Sequence, residues 1–571
     1  MKHTAQRTVI RGGTIIDGTG AAPFEGDVAI EGARIVEVGK VTRGGDEEID
    51  ARGMIVTPGF VDVHTHYDGQ VTWTERLAPS AWHGVTTAAM GNCGVGFAPC
   101  APAHRDMLIE LMEGIEDIPE IVLKAGLPWT WQSFPEYLDA LAARHYDADL
   151  VAHLPHAPLR VHVMGERALR REAATTEDCA AMARLAGEAL AAGACGFSSS
   201  RAIAHKTRKG APTPTLTAAE DELTAIALAV GATGRGVLQF ITDISEKPVE
   251  GAAEFAMLRR ITEKSGRPMS INITQRENDP PGYQRVLDMI SAANAAGTPI
   301  TGQVMGRGIG LIFGFEVSDH PFSKNPSWAL VANLPFAERV AALRDPALRA
   351  RLLAEQPAEA GWTKRAWNFE RTFELADTPF YEPGPEHSLA ARARALGIAP
   401  AELAYDLMLA DNGRGMLYRP LLNYANGNLD DVHNMLTHPH TVPGIADGGA
   451  HCAQICDASI TTFSLAYWTR DRQGAHIALP KLVKGHTLDS ARVLGLTDRG
   501  AIKPGWKADL NVIDYDHLAL SKPRVAYDMP AGGKRLVQSA RGYVATLVSG
   551  VVTRRDDQGT DALPGRLQRF A

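Results

Sequence analysis

The sequence predicts an α/β protein, a (β/α)8 TIM-like barrel carrying a small β-sandwich built from both chain termini. Three observations predict it. At 571 residues the chain exceeds one ordinary domain but suits a barrel with insertions. Strand, loop and helix alternate between about residues 57 and 490. Both ends instead read as strands separated by glycine turns.

The N-terminal part, residues 1–56, holds Thr8-Val9-Ile10-Arg11-Gly12-Gly13-Thr14-Ile15-Ile16 and Asp27-Val28-Ala29-Ile30-Glu31, apolar and polar in alternation with glycine at the turns. Residues 491–571 repeat this texture in Ala508 to Asp514 and Tyr543 to Thr553. Two such β regions flanking a mixed middle predict that the termini combine. In the middle, helical spacing marks Thr176 to Ala192 and Ala218 to Val230, each followed by a strand run: Gly236 to Ile241 and Pro268 to Ile273. Such βα repetition implies a parallel sheet with functional residues at the C-terminal strand ends. A stretch from about 305 to 375, rich in Phe, Trp and Pro, predicts an insertion over the barrel mouth.

Composition narrows the function. Hydrophobic residues at 45% and charged residues at 22% describe a globular protein with a large core. The net charge of -8 is spread without a basic block, which argues against nucleic acid and anionic membrane surfaces and for a small-molecule substrate. No 18-residue apolar run spans a bilayer, and the expected address is cytoplasmic. Self-association into a homo-oligomer is left open. Six cysteines make no disulfide framework; Cys452 and Cys456, separated by three residues, are too weak a pattern for a zinc knuckle without a second pair, and Cys100, Cys179 and Cys195 read as small buried hydrophobes or inert thiols.

The chemistry gathers at predicted strand ends. His64 and His66 follow the apolar run Met54 to Val63, and in extended backbone two histidines two residues apart share a face, the beginning of a metal site. One strand later, Gly91-Asn92-Cys93-Gly94 offers a thiolate, a strong zinc ligand. Asp447, in Ile445-Ala446-Asp447-Gly448-Gly449, can ligate a metal and accept a proton from water, the general-base work of hydrolysis. His451 lies four residues on, and His433, His438 and His440 lie near the last strands.

These segments resemble the metal-dependent amidohydrolase superfamily, specifically its D-aminoacylase (N-acyl-D-amino-acid deacylase) branch. Pro58 to His66, Gly91 to Gly94, Gly193 to Ser198, Asp447-Gly448-Gly449 and Gly495 to Leu510 carry the resemblance over nearly the whole chain. It implies zinc near His64, His66, Cys93 and Asp447, and hydrolysis of an amide. Branch members also place a histidine ligand at the ends of the fifth and sixth strands, where this chain has Gln239 or Phe240 and Asn272. One zinc is therefore expected rather than two, with His451 as a substitute ligand. Substrate-binding candidates are Ser198, Arg201 and His205 after the fourth strand, Asp243 after the fifth, and Asn272; Trp129, Trp131 and Trp362 offer apolar surface for an acyl group. The reaction expected is metal-assisted cleavage of a small N-acylated substrate. Opening of a cyclic amide, imide or lactone on the same scaffold, and a barrel retained only for binding or assembly, are the alternatives.

Overall fold

The structure is a computed structural model that describes residues 6–355 and 365–570, so Trp362 lies outside the described residues. The two termini meet in one nine-stranded sheet. Its seam is the antiparallel pairing of Ile55–Pro58 with Leu510–Ile513, Val56 opposite Val512. Arg7–Ile15, Phe24–Glu31 and Arg34–Gly39 extend it on one side, and Tyr543–Val548, Val551–Arg555 and Gln558–Gly559 on the other. Alternation along the strands sends Ile10, Val28, Ile30, Val56, Val512 and Leu547 into one apolar cluster and Val9 and Ala29 into another. The ladders join both ends of the chain in a single sheet, where the sequence predicts a β-sandwich.

Gly59 alone separates this sheet from the next. A Cβ there would lie 2.1 Å from Oγ1 of Thr86, so the chain can cross only as glycine. Eight parallel strands follow: β1 (Phe60–Asp62), β2 (Val85–Met90), β3 (Asp149–Pro155), β4 (Gly196–Ser200), β5 (Val237–Ile241), β6 (Met269–Ile273), β7 (Ile300–Val304) and β8 (Thr441–Pro443). They are hydrogen-bonded in sequence order, as in a TIM-like barrel. No ladder joins β1 to β8. Their extensions meet one turn later, where His66 N–H donates to Gly448 O (2.7 Å) and Asp447 N–H to His64 O (3.1 Å). The ring closes, in other words, through the predicted functional residues themselves.

The predicted helices are Thr176–Ala191, started by a capping box of Thr175 and Asp178, and Glu220–Ala232. Between β7 and β8 the insertion runs further than the 305–375 expected. Ile309–Phe313 pairs with Leu417–Leu422, which also takes Phe373–Glu374, and Phe313, Phe315, Phe322, Leu343, Leu389 and Tyr405 give this unit its own core. Among the described residues no helix is long and apolar enough to cross a membrane.

At the opposite end of the barrel from those loops, Asp149 opens β3 as a buried acid. Lys507 Nζ (2.5 Å) and Arg499 Nη1 (2.7 Å) both reach its Oδ2, and Lys507 also holds Asp509 (2.8 Å). The C-terminal segment runs past the same point, with Arg566 N–H donating to Asp149 Oδ1 (3.0 Å) and Gln568 N–H to Leu150 O (2.7 Å). Nearby, His486 packs at 6.0 Å from the Phe60 ring with Nε2 unpartnered, and burial lowers its pKa to about 3. An unfolded chain would protonate this histidine near pH 6.5 while the folded one resists, so its contribution to stability falls as the pH drops below 6.5. His486→Phe is accordingly expected to gain about 1.4 kcal/mol relative to the native chain between pH 7.5 and 5.5. Urea midpoints at the two pH values measure this, and a pH-independent difference between the chains would refute it.

Candidate metal centre

Why the side chains converge follows from strand period. His64 and His66 leave β1 toward the same face and reach the barrel mouth with their rings 5.4 Å apart. Cys93 is lifted toward them by a turn that places it at φ 56°, and Gly94 beside it lies against the Ser199 backbone, 2.9 Å from where a Cβ would stand. His64 Nε2 is 3.3 Å from Cys93 Sγ and 3.4 Å from Asp447 Oδ1. The same Asp447 oxygen is 3.7 Å from His66 Nε2. His64, His66 and Cys93 present ligand atoms all within 4.8 Å of one another.

The loop after β8 is held in costly backbone. Ile445, Asp447 and His451 all take left-handed φ values (58°, 50° and 48°), a conformation that persists in non-glycine residues only where the surroundings impose it. Here the imposition comes from the hydrogen bonds to His64 and His66 and from His451 N–H, which donates to the carbonyl of Glu116.

The supports explain what became of the expected fifth- and sixth-strand ligands. His64 Nδ1 is paired with Gln303 Oε1 on β7 (2.8 Å), and Gln303 Nε2 donates to Ser270 Oγ on β6 (3.0 Å). That fixes the His64 ring with Nε2 facing the cluster, the usual arrangement behind a metal-binding imidazole. On β5, Gln239 accepts from Cys93 N–H (3.3 Å), Phe240 turns outward onto Phe197, and Ile241 faces the mouth. Asn272 lines the mouth but commits its amide to both backbone groups of Thr242 (2.8 and 3.1 Å). The inner strands therefore orient ligands instead of supplying them.

A cavity of about 180 Å³ opens on the cluster. Of the residues singled out in the sequence, His64, His66, Cys93, Asp447, His451, His205, Asp243 and Asn272 line it. Ser198 and Arg201 do not. Ser198 Oγ donates to Gly91 O and accepts from Gly94 N–H (3.1 Å), which makes it the brace of the Cys93 turn. Arg201 turns away to Glu254 (3.0 Å) and Ala218 O (2.7 Å). His433 and His438 are engaged with His476 O and Ser291 Oγ, and His440 leads into the start of β8, at the far end from the mouth. Trp131 is core, its Nε1 donating to Phe97 O (2.8 Å), with Trp129 packed on it.

Two cavity residues escaped the sequence reading. Arg276 bonds Glu246 (2.6 Å) and lies 3.7 Å from Asp243. Glu116, 2% exposed, ends the helix Arg105–Glu116, with Oε2 3.4 Å from His66 Nε2 and 3.7 Å from His451 Nε2. Glu116 is on a helix, away from the strand ends where the barrel rule directs the search, whereas Arg276, three residues after β6, lay within its reach.

The charges couple. Burial alone would strip His66 of its proton, but Glu116 and Asp447 outweigh it and raise its pKa to about 9. Burial works to raise Asp447, and His66 and His64 overcome it, holding the carboxylate well below the usual range. Burial brings His64 down to about 4 and pushes the Cys93 thiol up, the latter assisted by Glu116 and Asp447. Both ring nitrogens of His66 and Oε1 of Glu116 are buried without a hydrogen-bond partner. Two imidazoles, a thiol and carboxylates facing one point suit a divalent transition metal, which would satisfy one ring nitrogen of His66 and the Glu116 carboxylate.

The chain belongs to the amidohydrolase family, whose profile matches residues 47–554, and it is a hydrolase acting on carbon–nitrogen bonds other than peptide bonds. An N-acyl-D-aspartate deacylase of Alcaligenes xylosoxydans xylosoxydans is 27% identical over 515 residues, covering 89% of this chain and 85% of the relative. An uncharacterized protein of Mycobacterium tuberculosis is 28% identical over 590 residues, 96% and 92% of the two chains. Among solved structures, a D-aminoacylase superposes with a TM-score of 0.65 at 24% identity, covering 99% of both chains. An N-acyl-D-glutamate deacylase from Bordetella bronchiseptica, complexed with zinc and a phosphonate inhibitor, gives 0.65 at 23%, covering 99% of this chain and all of that one.

Proposed function

We propose that this protein is a zinc-dependent amidohydrolase that cleaves the amide bond of a small N-acylated substrate, in the manner of the N-acyl-D-amino-acid deacylases, with one metal. The observation that carries the reading is the convergence of His64, His66 and Cys93 with Asp447 on a cavity where His66 has no other partner for its nitrogens. His64, His66 and Cys93 would hold the ion, and Asp447 reaches the same point. The D-aminoacylase whose fold this chain shares is described as activated by one metal and attenuated by a second. We further read residues 57–490 as the catalytic unit and 1–56 with 491–571 as its accessory β unit.

A metal held there supplies polarisation of the carbonyl and acidification of a water molecule. The chain supplies the rest. His66 and His64 keep Asp447 ionised, so it can take the proton from the attacking water at a carboxylate oxygen and return it to the leaving nitrogen. Ile241, Ile309, Leu422 and Ile455 form an apolar wall against which an acyl group would pack, while Asp243, Asn272 and Arg276 face it with polar groups. His205, bonded through Nδ1 to Ser200 Oγ (2.7 Å), and His451 stand at the rim as substrate contacts.

Removal of metal by a chelator is expected to abolish release of amine from a panel of N-acyl-D-amino acids, and one equivalent of zinc should restore it. Undiminished turnover by metal-free protein would overturn the reading.

A further inference from the structure

The fifth and sixth strands supply the centre with no donor, since Ile241 ends β5 and Asn272 is spent on Thr242. Glu116 stands there instead. We propose that Glu116 is a ligand of the metal, a carboxylate brought to the centre by a helix outside the barrel strands. The proposal rests on the metal-centre reading above and adds a residue that none of the strand-end motifs contains.

Its position is hard to explain as packing. A carboxylate at the last residue of a helix faces the negative end of the helix dipole, so the helix gains nothing from it. It is buried, and its Oε1 has no hydrogen-bond partner among the described residues. Without a metal the cation beside it is protonated His66, but an imidazole must be neutral to bind a metal, so once His66 is a ligand the metal itself has to be the cation that joins Glu116. The contact with His66 has ligand-pair spacing: donors bound at ~2.1 Å to a tetrahedral metal lie ~3.4 Å apart, and Glu116 Oε2 is 3.4 Å from His66 Nε2, as Asp447 Oδ1 is from His64 Nε2; Glu116 stands outside the trio of His64, His66 and Cys93 and would close on it when the ion binds. The two carboxylates thus bracket the imidazole pair from opposite partners, Asp447 beside His64 and Glu116 beside His66. The helix end is also locked in place, because His451 N–H donates to the Glu116 carbonyl and so ties it to the loop that carries Asp447. With Asp447 acting as the base, His64, His66, Cys93 and Glu116 make four donors and leave the fifth position that zinc accepts in hydrolytic centres to water or substrate.

Metal affinity, measured by competition with a chromophoric chelator for zinc, and the absorption spectrum of the cobalt(II)-substituted protein test the assignment. Wild-type protein should bind one equivalent. E116Q should still bind one, at least about 100-fold more weakly, as befits loss of a ligand when outer partners alone are worth 10–100-fold. Its cobalt d–d bands should shift while the thiolate charge-transfer band from Cys93 stays. E116D, which keeps the charge and shortens its reach, should bind more tightly than E116Q and less tightly than wild type. E116Q indistinguishable from wild type in affinity and spectrum would overturn the role of Glu116 and leave the centre standing. A wild-type protein that takes up no metal, or an H64A variant that binds as well as wild type, would overturn the centre and this ligand with it.

Discussion

Asp447→Asn is expected to lower kcat/KM for amide hydrolysis by about 10²–10⁴-fold, the range over which a positioned general base acts. Asparagine keeps the shape and the left-handed backbone, which it tolerates better than most residues, but cannot accept the proton. The backbone bonds from Asp447 N–H to His64 O and from His66 N–H to Gly448 O do not depend on the carboxylate, so the variant should remain folded with the ring closed. Amine release under saturating zinc, with metal content determined on the same sample, gives the measurement. A metal-loaded variant retaining a tenth of the activity would remove Asp447 from the proton path.

The second large effect concerns stability. Asp149→Asn leaves Lys507 with Asp509 (2.8 Å) and Arg499 with the part-exposed Asp498 (3.1 Å) and Asp509 (3.8 Å), and breaking such a buried set by removing one partner costs about 3–5 kcal/mol. The urea midpoint by circular dichroism should fall accordingly. Combining Asp149→Asn with Lys507→Met should cost less than the two changes added, because each removes the partner the other leaves stranded. Strict additivity, or a loss below about 1 kcal/mol, would show that solvent reaches the cluster.

How much of this was legible in the chain can be judged residue by residue. The barrel strands were readable because buried parallel strands are short apolar runs between helices of clear period, and β5 and β6 fall within a residue of their expected limits. His64, His66, Cys93 and Asp447 were readable because each ends such a run. Glu116 was not: it sits on a helix whose approach to the mouth depends on how a loop folds back, and no local pattern encodes that. Ser198 and Arg201 were misplaced for a related reason. Motif position located their loop, but whether a side chain faces the cavity or braces the turn behind it is decided by partners 107 and 53 residues away in the chain. Gln303 and Ser270 were missed because uncharged side chains inside a barrel carry no signal until the imidazole they orient is seen.

The seam between Ile55–Pro58 and Leu510–Ile513 bears on how the molecule comes to be made. Those strands are separated by more than 450 positions in the sequence. A ribosome adding about 5–20 residues per second would leave the first strands waiting on the order of half a minute for their partner, with one edge of Ile55–Pro58 unpaired throughout. Pairings of such long range are slow to form and expose strand edges to other chains in the interval. Yield in a heterologous host should therefore respond to slower synthesis or added chaperone more than to any change at the metal centre.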